Sequence, residues 1–399
     1  MVLLSFSPSQ AQQSGFQING KRSERISIEV INNLLVSKIK INDLELVFII
    51  DTGVKIPILF QNQLAVFFSE QPQRNILVKG LGPDKAISAL LVSSNTIKIG
   101  SIKAENINLI IMPDNDFNVS EYLGMNVHGI IGYDLFKELV VELDYKEKWI
   151  RFYNPTKFQA NKKFQVFPLE IEGSKPYLNS YISNEENDSI PVKLMIDTGA
   201  SFALTMFTQS NTQIKIDTPA IQAYLGTGIS GDLQGKISRI NEFSLNESIV
   251  FTEVVTAYPD EESVRHIKKG SARNGSVGGE ILKRFRVIFD YKQQKIYLKK
   301  NNNYTADFDY NKTGMLIKAK GKDHNQFIID HIDANSAAAD AGLEVGDQLI
   351  QIQQYNPDNL TLGQIYEVFN TTKTGKTIRL KIKRKGFLQR VKLVLKSSV

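Results

Sequence analysis

The stretch LELVFIIDTG (Leu44–Gly53) is followed, 146 residues later (197 − 51), by IPVKLMIDTG (Ile190–Gly199). In both copies a run of branched apolar residues ends in the same Asp-Thr-Gly turn, as expected of a buried strand that enters a tight loop. One such tripeptide is weak evidence, because Asp and Gly are common in ordinary turns. Two copies behind equivalent strands indicate an internal duplication, which decides the fold.

Three more landmarks recur with the same offset of 146 residues (226 − 80, 277 − 131 and 290 − 144). They are Gly80-x-Gly82 with Gly226-x-Gly228, Ile131-Gly132 with Val277-Gly278, and Asp144-Tyr145-Lys146 with Asp290-Tyr291-Lys292. Short strands with polar turns dominate both halves, and long helical periodicity is absent. The sequence therefore predicts a mainly β protein with two homologous lobes, at residues 20–157 and 158–303, related by a pseudo-twofold axis.

The remaining segments differ from the two lobes. Residues 304–399 alternate short strands with two helices, the second opened by a capping box of Thr361 and Gln364, and predict a small α+β domain. Residues 1–19 are interpreted as a signal-peptide remnant or a disordered tail, because a short apolar run precedes small residues at Ser9-Gln10-Ala11. This favours an exported protein, periplasmic or extracellular, with a cytoplasmic location as the alternative.

Composition excludes several classes of function. The chain has no cysteine, so disulfides, thiolate metal sites and a cysteine nucleophile are ruled out. Its net charge of +6 is spread along the chain, which does not indicate nucleic-acid binding. No apolar run is long enough to span a membrane. The four histidines show no metal-ligand spacing, so we expect neither a metal nor another cofactor.

The paired loops carry the chemistry. A pseudo-twofold axis would bring Asp51 and Asp197 together, and two adjacent carboxylates cannot both ionise. They would share one proton and activate a water between them for hydrolysis. Thr52 and Thr198 can hydrogen-bond to the opposite loop. Gly53 and Gly199 allow backbone amides to approach the carboxylates.

The two Asp-Thr-Gly loops, each followed 81 residues later by a hydrophobic-Gly pair (132 − 51 and 278 − 197), resemble the aspartic peptidases of the pepsin and retroviral type. The resemblance covers about residues 20–303. It implies two acid-protease β-barrel lobes in one monomeric chain, with a peptide cleft closed by two glycine-tipped flaps. The flap residues would be Gly80, Gly82, Gly226 and Gly228, and Tyr224 is expected either to cover substrate or to pack locally.

Both loops depart from the pepsin pattern. Pepsin-like enzymes have Ser or Thr directly after the glycine, whereas this chain has Val54 and Ala200. Ala200-Ser201 is similar to the retroviral form, but Val54-Lys55 fits neither. Loss of both hydroxyls removes a stabiliser of the ionised dyad, which predicts activity at weakly acidic to neutral pH. Lys55 is expected either to depress the pKa of the dyad or to point to solvent.

The C-terminal domain resembles a PDZ domain of the kind appended to bacterial peptidases, on the residues Ser336-Ala337-Ala338, Ala341-Gly342-Leu343 and Gly346-Asp347-Gln348-Leu349-Ile350. The resemblance implies that a peptide C-terminus binds by β-augmentation. Gly314-Met315-Leu316-Ile317 would form the carboxylate loop, although Thr313 stands where a hydrophobic residue is usual. A docking module that binds no free peptide is the alternative.

Three readings of function follow. The first is an active endopeptidase that cleaves peptides or unfolded proteins with Asp51 and Asp197, while the PDZ-like domain recognises peptides or regulates access. The second is a catalytically inactive peptide-binding protein on the same fold, which Val54-Lys55 favours. The third makes the PDZ-like domain the functional part and the lobes a scaffold.

Overall fold

Strands are the predominant secondary structure in a computed structural model that describes residues 15–18, 20–113, 119–265 and 272–397. Alternating burial explains why these segments pair in sheets. In the strand from Leu34 to Ile41, for example, Ile39 and Ile41 are buried whereas Lys38 and Lys40 are exposed. The predicted mainly β fold class, with a small α+β domain at the C-terminal end, is confirmed.

The first lobe contains eleven strands and two short helices within the described residues. In chain order these are β1 (Ser23–Ser27), β2 (Glu29–Ile31), β3 (Leu34–Ile41), β4 (Leu44–Ile50), β5 (Ile58–Leu59), β6 (Gln73–Val78), β7 (Ile87–Ile99), β8 (Ile102–Ile111), α1 (Val119–Leu123), β9 (Gly129–Ile131), α2 (Tyr133–Phe136), β10 (Val140–Asp144) and β11 (Trp149–Tyr153). Two 3-10 helices lie at Asn62–Phe68 and Pro155–Lys157.

The second lobe repeats this order of strands. Its described elements are β12 (Gln165–Pro168), β13 (Glu170–Glu172), β14 (Lys175–Ser183), β15 (Ile190–Ile196), β16 (Leu204–Met206), β17 (Ile221–Gly228), β18 (Gly231–Asn246), β19 (Ile249–Pro259), β20 (Gly275–Val277), α3 (Gly279–Leu282), β21 (Phe285–Asp290) and β22 (Lys295–Lys300), with a 3-10 helix at Thr208–Ser210.

The duplication is visible in the strand order of the two eight-stranded sheets. The first lobe has the order β2-β3-β4-β9-β5-β8-β7-β6, and the second has β13-β14-β15-β20-β16-β19-β18-β17. Each strand occupies the place of its counterpart, and the additional pairing β3–β7 recurs as β14–β18. The repeated register in the sequence therefore corresponds to a repeated topology.

A six-stranded sheet joins the lobes, in the order β1-β11-β10-β21-β22-β12. The two equivalent strands β10 and β21 pair antiparallel at its centre, with Val141 opposite Phe289 and Leu143 opposite Val287. One hydrophobic cluster runs through both lobes and this sheet. The pseudo-twofold axis therefore passes through a shared core, which fixes one lobe against the other.

The C-terminal domain is a five-stranded antiparallel sheet with two helices and a core of its own. Its elements are β23 (Met315–Lys320), β24 (Gln326–Ile332), α4 (Ala337–Asp340), β25 (Gln348–Ile352), α5 (Leu362–Thr371), β26 (Thr377–Arg384) and β27 (Phe387–Val394), with a 3-10 helix at Pro357–Asn359. The capping box of Thr361 and Gln364 opens α5. The sheet order is β23-β24-β25-β26-β27, so β23 is an edge strand that faces α5.

Part of the N-terminal segment belongs to the fold. Residues 1–14 and 19, including Ser9-Gln10-Ala11, lie outside the described residues. Phe16 and Ile18 are buried in the core, and Gln17 forms an isolated bridge with Lys103. The expectation of a disordered tail is therefore wrong for residues 15–18, because their apolar side chains find a place against the first lobe. No helix in the described ranges is both long and apolar enough to cross a membrane.

Candidate active site

Each Asp-Thr-Gly loop follows a central strand that pairs in parallel with a short strand from the end of its own lobe. Ile50 of β4 lies beside Ile131 of β9, and Ile196 of β15 lies beside Val277 of β20. The amide of Asp51 donates to the carbonyl of Ile131 at 2.9 Å. The amide of Asp197 donates to the carbonyl of Val277, also at 2.9 Å. The two loops are thus held in the same way in both lobes.

Thr52 and Thr198 connect the loops through four hydrogen bonds. The Thr52 hydroxyl donates to the carbonyl of Ile196 at 2.6 Å and accepts from the amide of Thr198 at 3.1 Å. The Thr198 hydroxyl donates to the carbonyl of Ile50 at 2.8 Å and accepts from the amide of Thr52 at 3.0 Å. Both threonines are fully buried. Because every polar group of this cluster has a partner, the loops are rigidly oriented.

The catalytic candidates meet at the centre of this arrangement. The amide of Gly53 donates to Oδ1 of Asp51 at 2.7 Å, and the amide of Gly199 donates to Oδ1 of Asp197 at 3.0 Å. A Cβ atom on Gly199 would lie 2.3 Å from Cγ of Asp51, so the Asp51 carboxyl rests directly against the opposite loop. The carboxyl groups of Asp51 and Asp197 lie close enough to each other for the charge of Asp197 to raise the pKa of Asp51.

The two carboxyl groups differ in their electrostatic surroundings. Burial, and then the charge of Asp197, raise the pKa of Asp51 to about 7. Burial also raises the pKa of Asp197, but nearby Arg273 and Lys175 oppose that rise. The shared proton is therefore assigned to Asp51 and the negative charge to Asp197. One protonated and one ionised carboxyl are the combination that a water-activating dyad needs.

The residues that follow the glycines of both loops do not hydrogen-bond to the carboxylates. Val54 is buried in an apolar cluster, and Ala200 has no polar side-chain atom. The Lys55 side chain is exposed at the mouth of the cleft. Of the two expectations for Lys55, the structure shows the one in which this lysine points to solvent.

Two cations near the dyad were missed by the sequence reasoning. Lys175 opens β14 and Arg273 directly precedes Asn274 and β20, and both line the cleft together with Asp51 and Asp197. Neither lies in a motif or near an Asp-Thr-Gly loop in the sequence. Their proximity depends on how β14 and β20 flank β15, so no local pattern could have identified them.

The two flap hairpins, β6–β7 and β17–β18, meet above the cleft. The amide of Ser230 donates to the carbonyl of Leu81 at 2.9 Å, and the amide of Asp84 donates to the carbonyl of Ser230 at 2.8 Å. The amide of Gly80 donates to the Ser230 hydroxyl at 3.0 Å. Three of the predicted flap glycines, Gly80, Gly82 and Gly228, lie at this junction, whereas Gly226 faces open space.

Tyr224 lies where the second flap contacts the C-terminal domain. Its ring stacks on Tyr122 with centroids 6.4 Å apart and lies 5.8 Å from the ring of His331. Its hydroxyl hydrogen-bonds to Thr227 and, at 3.1 Å, to Asp232. Of the two expectations for Tyr224, local packing therefore describes its contacts, although the residue also lines the cleft.

The cleft is a single cavity of about 1250 Å³ that reaches from the dyad to the C-terminal domain. Leu316 and Tyr366 of that domain line it together with both aspartates. The volume exceeds the range of about 300–1,000 Å³ that is usual for small-ligand pockets. A cavity of this size can hold an extended peptide of several residues.

The predicted carboxylate loop lies at the start of β23, but most of its amides already have acceptors. The amide of Gly314 donates to the side chain of Asn311 at 3.1 Å, and that of Met315 donates to the Thr313 hydroxyl at 3.2 Å. The amide of Ile317 donates to the Tyr366 hydroxyl at 2.9 Å. In this conformation these three amides are therefore not available to a peptide carboxylate, in contrast to the expectation for this loop.

The first lobe contacts the same edge of the C-terminal domain. Helix α1 packs against β23, and the hydroxyl of Tyr122 donates to Asp330 at 3.0 Å. The Lys318 ammonium lies 4.6 Å from the centroid of the Tyr122 ring. The edge at which β-augmentation would occur is thus partly covered by the first lobe.

Comparison with known families matches two parts of the chain. Residues 37–135, which include Asp51 and the first flap, match a family model described as aspartyl protease. Residues 309–383, which include β23 and α5, match the PDZ domain model. A comparison with curated proteins gives no match. The chain therefore carries an aspartyl protease domain and a C-terminal PDZ domain.

Proposed function

We propose that this protein is an aspartic endopeptidase that hydrolyses peptide bonds with Asp51 and Asp197. The observation that carries the proposal is the geometry of the dyad. The two carboxyl groups lie close together on loops that Thr52 and Thr198 hold against each other, and the surrounding charges favour a proton on Asp51. A pair with one proton can act as acid and base at once.

The proposed reaction begins with a water between the two carboxyl groups. Ionised Asp197 takes a proton from the water as its oxygen bonds to the scissile carbonyl carbon, and Asp51 gives its proton to the carbonyl oxygen. The neutral tetrahedral intermediate then collapses. Asp51 takes a proton back from one hydroxyl as the carbonyl re-forms, and Asp197 protonates the departing nitrogen as the C–N bond breaks. The dyad returns to its initial protonation state.

The flaps and the PDZ domain serve substrate binding in this proposal. Hydrogen bonds between Leu81, Asp84 and Ser230 close the cleft over the dyad, which would exclude bulk water and strengthen the electrostatic interactions there. Opening of this junction would admit an unfolded segment. Because Leu316 and Tyr366 line the same cavity, the PDZ domain would contact that segment on one side.

Substitution of either aspartate tests the proposal. Asp51→Asn and Asp197→Asn should each lower the rate of hydrolysis of an unfolded protein by at least about 10²–10⁴-fold, because either change removes a proton-transfer group. Asp43→Asn is the matched control, since Asp43 is an exposed carboxylate paired with Lys98. Full activity in either dyad variant, measured as new amino termini released per minute, would rule out the mechanism.

A peptide-binding protein without turnover is the second candidate, because Val54 and Ala200 offer the dyad no hydroxyl. A statine-type peptide, whose hydroxyl takes the position of the attacking water, separates the two. A catalytic dyad should bind it at least about 10²-fold more tightly than the corresponding substrate peptide, as expected for a transition-state mimic. Equal affinities would favour the binding protein.

A further inference from the structure

Two cations lie on the second-lobe side of the cleft, next to Asp197. Lys175 follows a tight turn at Gly173 and Ser174, and Arg273 is held through its Nε, which donates to the carbonyl of Gly275 at 3.2 Å. The Arg273 guanidinium also lies 5.2 Å from the centroid of the Phe207 ring. These contacts orient Arg273 in the wall of the cavity that contains the dyad.

Lys175 is not neutralised by the acidic residues of its own hairpin. Glu170 and Glu172 both form ion pairs with Lys193. The ammonium of Lys175 has no hydrogen bond or salt bridge with any residue that the structure describes. Burial, followed by the charge of Arg273, lowers the pKa of the Lys175 ammonium. The charge of Asp197 opposes this shift, but Asp197 forms no hydrogen bond with the ammonium. A half-buried ammonium without an acceptor is costly, and a carboxylate in the cavity would supply one.

The duplication provides an internal control. Lys175 is the first residue of β14 after a turn of two residues with positive φ, and Leu34 takes the same place at the start of β3, after Asn32 and Asn33. Arg273 corresponds to the buried Val127 (273 − 146). The fold therefore accepts apolar residues at both positions, so the two cations are not required to build a lobe.

We infer that Lys175 and Arg273 form a carboxylate-binding subsite on the second-lobe side of the cleft. The inference rests on the proposed peptidase function and specifies its substrate class. The substrate would carry an Asp or Glu side chain, or a terminal carboxylate, a few residues from the scissile bond. The ammonium and the guanidinium would both donate to that carboxylate, while the equivalent region of the first lobe takes an apolar side chain against Leu34.

Peptide pairs that differ by one charge test the subsite. A cleavable peptide from a library digest is remade with Glu or Gln at each of the three positions on either side of the scissile bond, and with a free or amidated C-terminus. The wild-type protein should show a kcat/KM about 10–100-fold higher for the Glu member at one position, as expected for a charge-assisted hydrogen bond. A preference confined to the free C-terminus would identify the terminal carboxylate as the ligand.

Variants then assign the preference to Lys175. Lys175→Met should bring the ratio of kcat/KM between the Glu and Gln peptides close to one. Lys175→Glu should make the protein prefer a peptide with Lys at the same position. Lys55→Met, which removes a cation from the first-lobe side of the cleft, should leave the ratio unchanged. Because only ratios between peptides are compared, a general loss of activity in a variant does not affect the result.

A binding measurement separates this inference from the proposed function. The same peptides are made with a reduced, uncleavable scissile bond, and their Kd values are determined for the wild-type protein. Glu preference in Kd, together with hydrolysis that persists in Asp51→Asn and Asp197→Asn, would support the subsite and contradict the proposed peptidase mechanism. Hydrolysis with equal kcat/KM and equal Kd for the Glu and Gln members would overturn the subsite. So would a Glu/Gln ratio that Lys175→Met leaves intact.

Discussion

The unequal surroundings of two identical side chains decide which carboxyl of the dyad carries the shared proton. Asp51 and Asp197 occupy equivalent positions in a duplicated fold, yet the opposing cations Arg273 and Lys175 both belong to the second lobe. They favour the ionised form of Asp197, and its charge in turn raises the pKa of Asp51. The asymmetry that the proposed mechanism needs therefore comes from outside the two Asp-Thr-Gly motifs.

The pKa of Asp51 predicts where activity is lost as pH rises. Asp51 must be protonated to act as the acid, and its pKa is raised to about 7. We expect kcat/KM to fall about tenfold for each pH unit above that value and to decline again at low pH, where Asp197 becomes protonated. A rate profile of a peptide substrate from pH 3 to 9 checks this. Activity that peaks only below about pH 3, near the range of unperturbed carboxyls, would contradict it.

The same shift predicts how the dyad affects stability. The carboxyl of Asp51 has a pKa raised from 3.8 to about 7 in the folded protein, so between these values the folded chain keeps a proton that the unfolded chain releases. Its contribution to the free energy of unfolding is present at low pH and is lost as pH rises toward 7. Asp51→Asn should therefore be increasingly more stable than the wild type from pH 4 to 7.

Urea unfolding of the wild type and of Asp51→Asn at pH 4, 5, 6, 7 and 8 measures the difference in their free energies of unfolding. Asp43→Asn serves as the control, because Asp43 is exposed on the surface and its removal should give a small difference at every pH. A difference between Asp51→Asn and the wild type that stays constant with pH would show that Asp51 titrates as it does in the unfolded chain.

The sequence was informative about the dyad and uninformative about its surroundings. Asp51 and Asp197 could be paired because they lie at the same place in two copies of one register. The position of Lys175 beside Asp197 could not be predicted in the same way. The hairpin between these two residues is five residues longer than its counterpart in the first lobe (197 − 175 = 22 against 51 − 34 = 17), so Lys175 lies outside the shared register. The amides of the Gly314 loop were equally hidden, since their partners depend on the side-chain positions of Asn311, Thr313 and Tyr366.

At the scale of the elements, the flaps work as a pair. Each tip hydrogen-bonds to the other, so opening one hairpin breaks the junction for both. Gly82 has a φ of 127° and comes so close to the second flap that a Cβ would lie 2.1 Å from the carbonyl oxygen of Ser230. The glycine pattern in the sequence located the hairpins. It could not show that their tips touch, because that contact joins residues from different lobes.

Blocking this junction should impair catalysis without unfolding the lobes. Gly82→Ala is expected to lower kcat/KM by about 10²-fold, because a displaced flap admits water and misplaces the substrate. Gly226→Ala is the matched control. Gly226 has a similar φ of 119° but no atom within 4 Å of the added Cβ, so both variants carry the same kind of backbone strain. Equal losses of kcat/KM in the two variants would show that strain alone is responsible.

At the scale of the whole molecule, one buried arginine connects the lobes to the PDZ domain. Arg284 is 1% exposed and donates to the carbonyls of Tyr304, Ala306 and Asp307, in the segment between β22 and β23. Its guanidinium lies 3.6 Å from the centroid of the Phe308 ring. It also pairs with Glu280 at 3.2 Å, and Glu280 in turn accepts a hydrogen bond from Asn33 of the first lobe.

Because Arg284 donates to several carbonyls and one carboxylate at once, its substitution should destabilise both the second lobe and the segment that leads to the PDZ domain. Arg284→Met keeps the apolar stem but leaves these acceptors unpaired, which should lower the free energy of unfolding by about 3–5 kcal/mol, as for a broken buried ion pair. Arg265→Met is the control, since Arg265 is an exposed partner of Glu262, and it should cost less than about 1 kcal/mol.

The loss should also release the connection to the PDZ domain, and limited proteolysis can detect that separately from global stability. In native buffer, Arg284→Met should be cut between residues 301 and 314 at least about tenfold faster than the wild type, because local opening of this segment exposes its backbone. The cut should be followed by separation of the PDZ domain from helix α1. A variant that is destabilised in urea but is not cut faster in this segment would show that Arg284 stabilises the second lobe alone and does not hold the PDZ domain over the cleft.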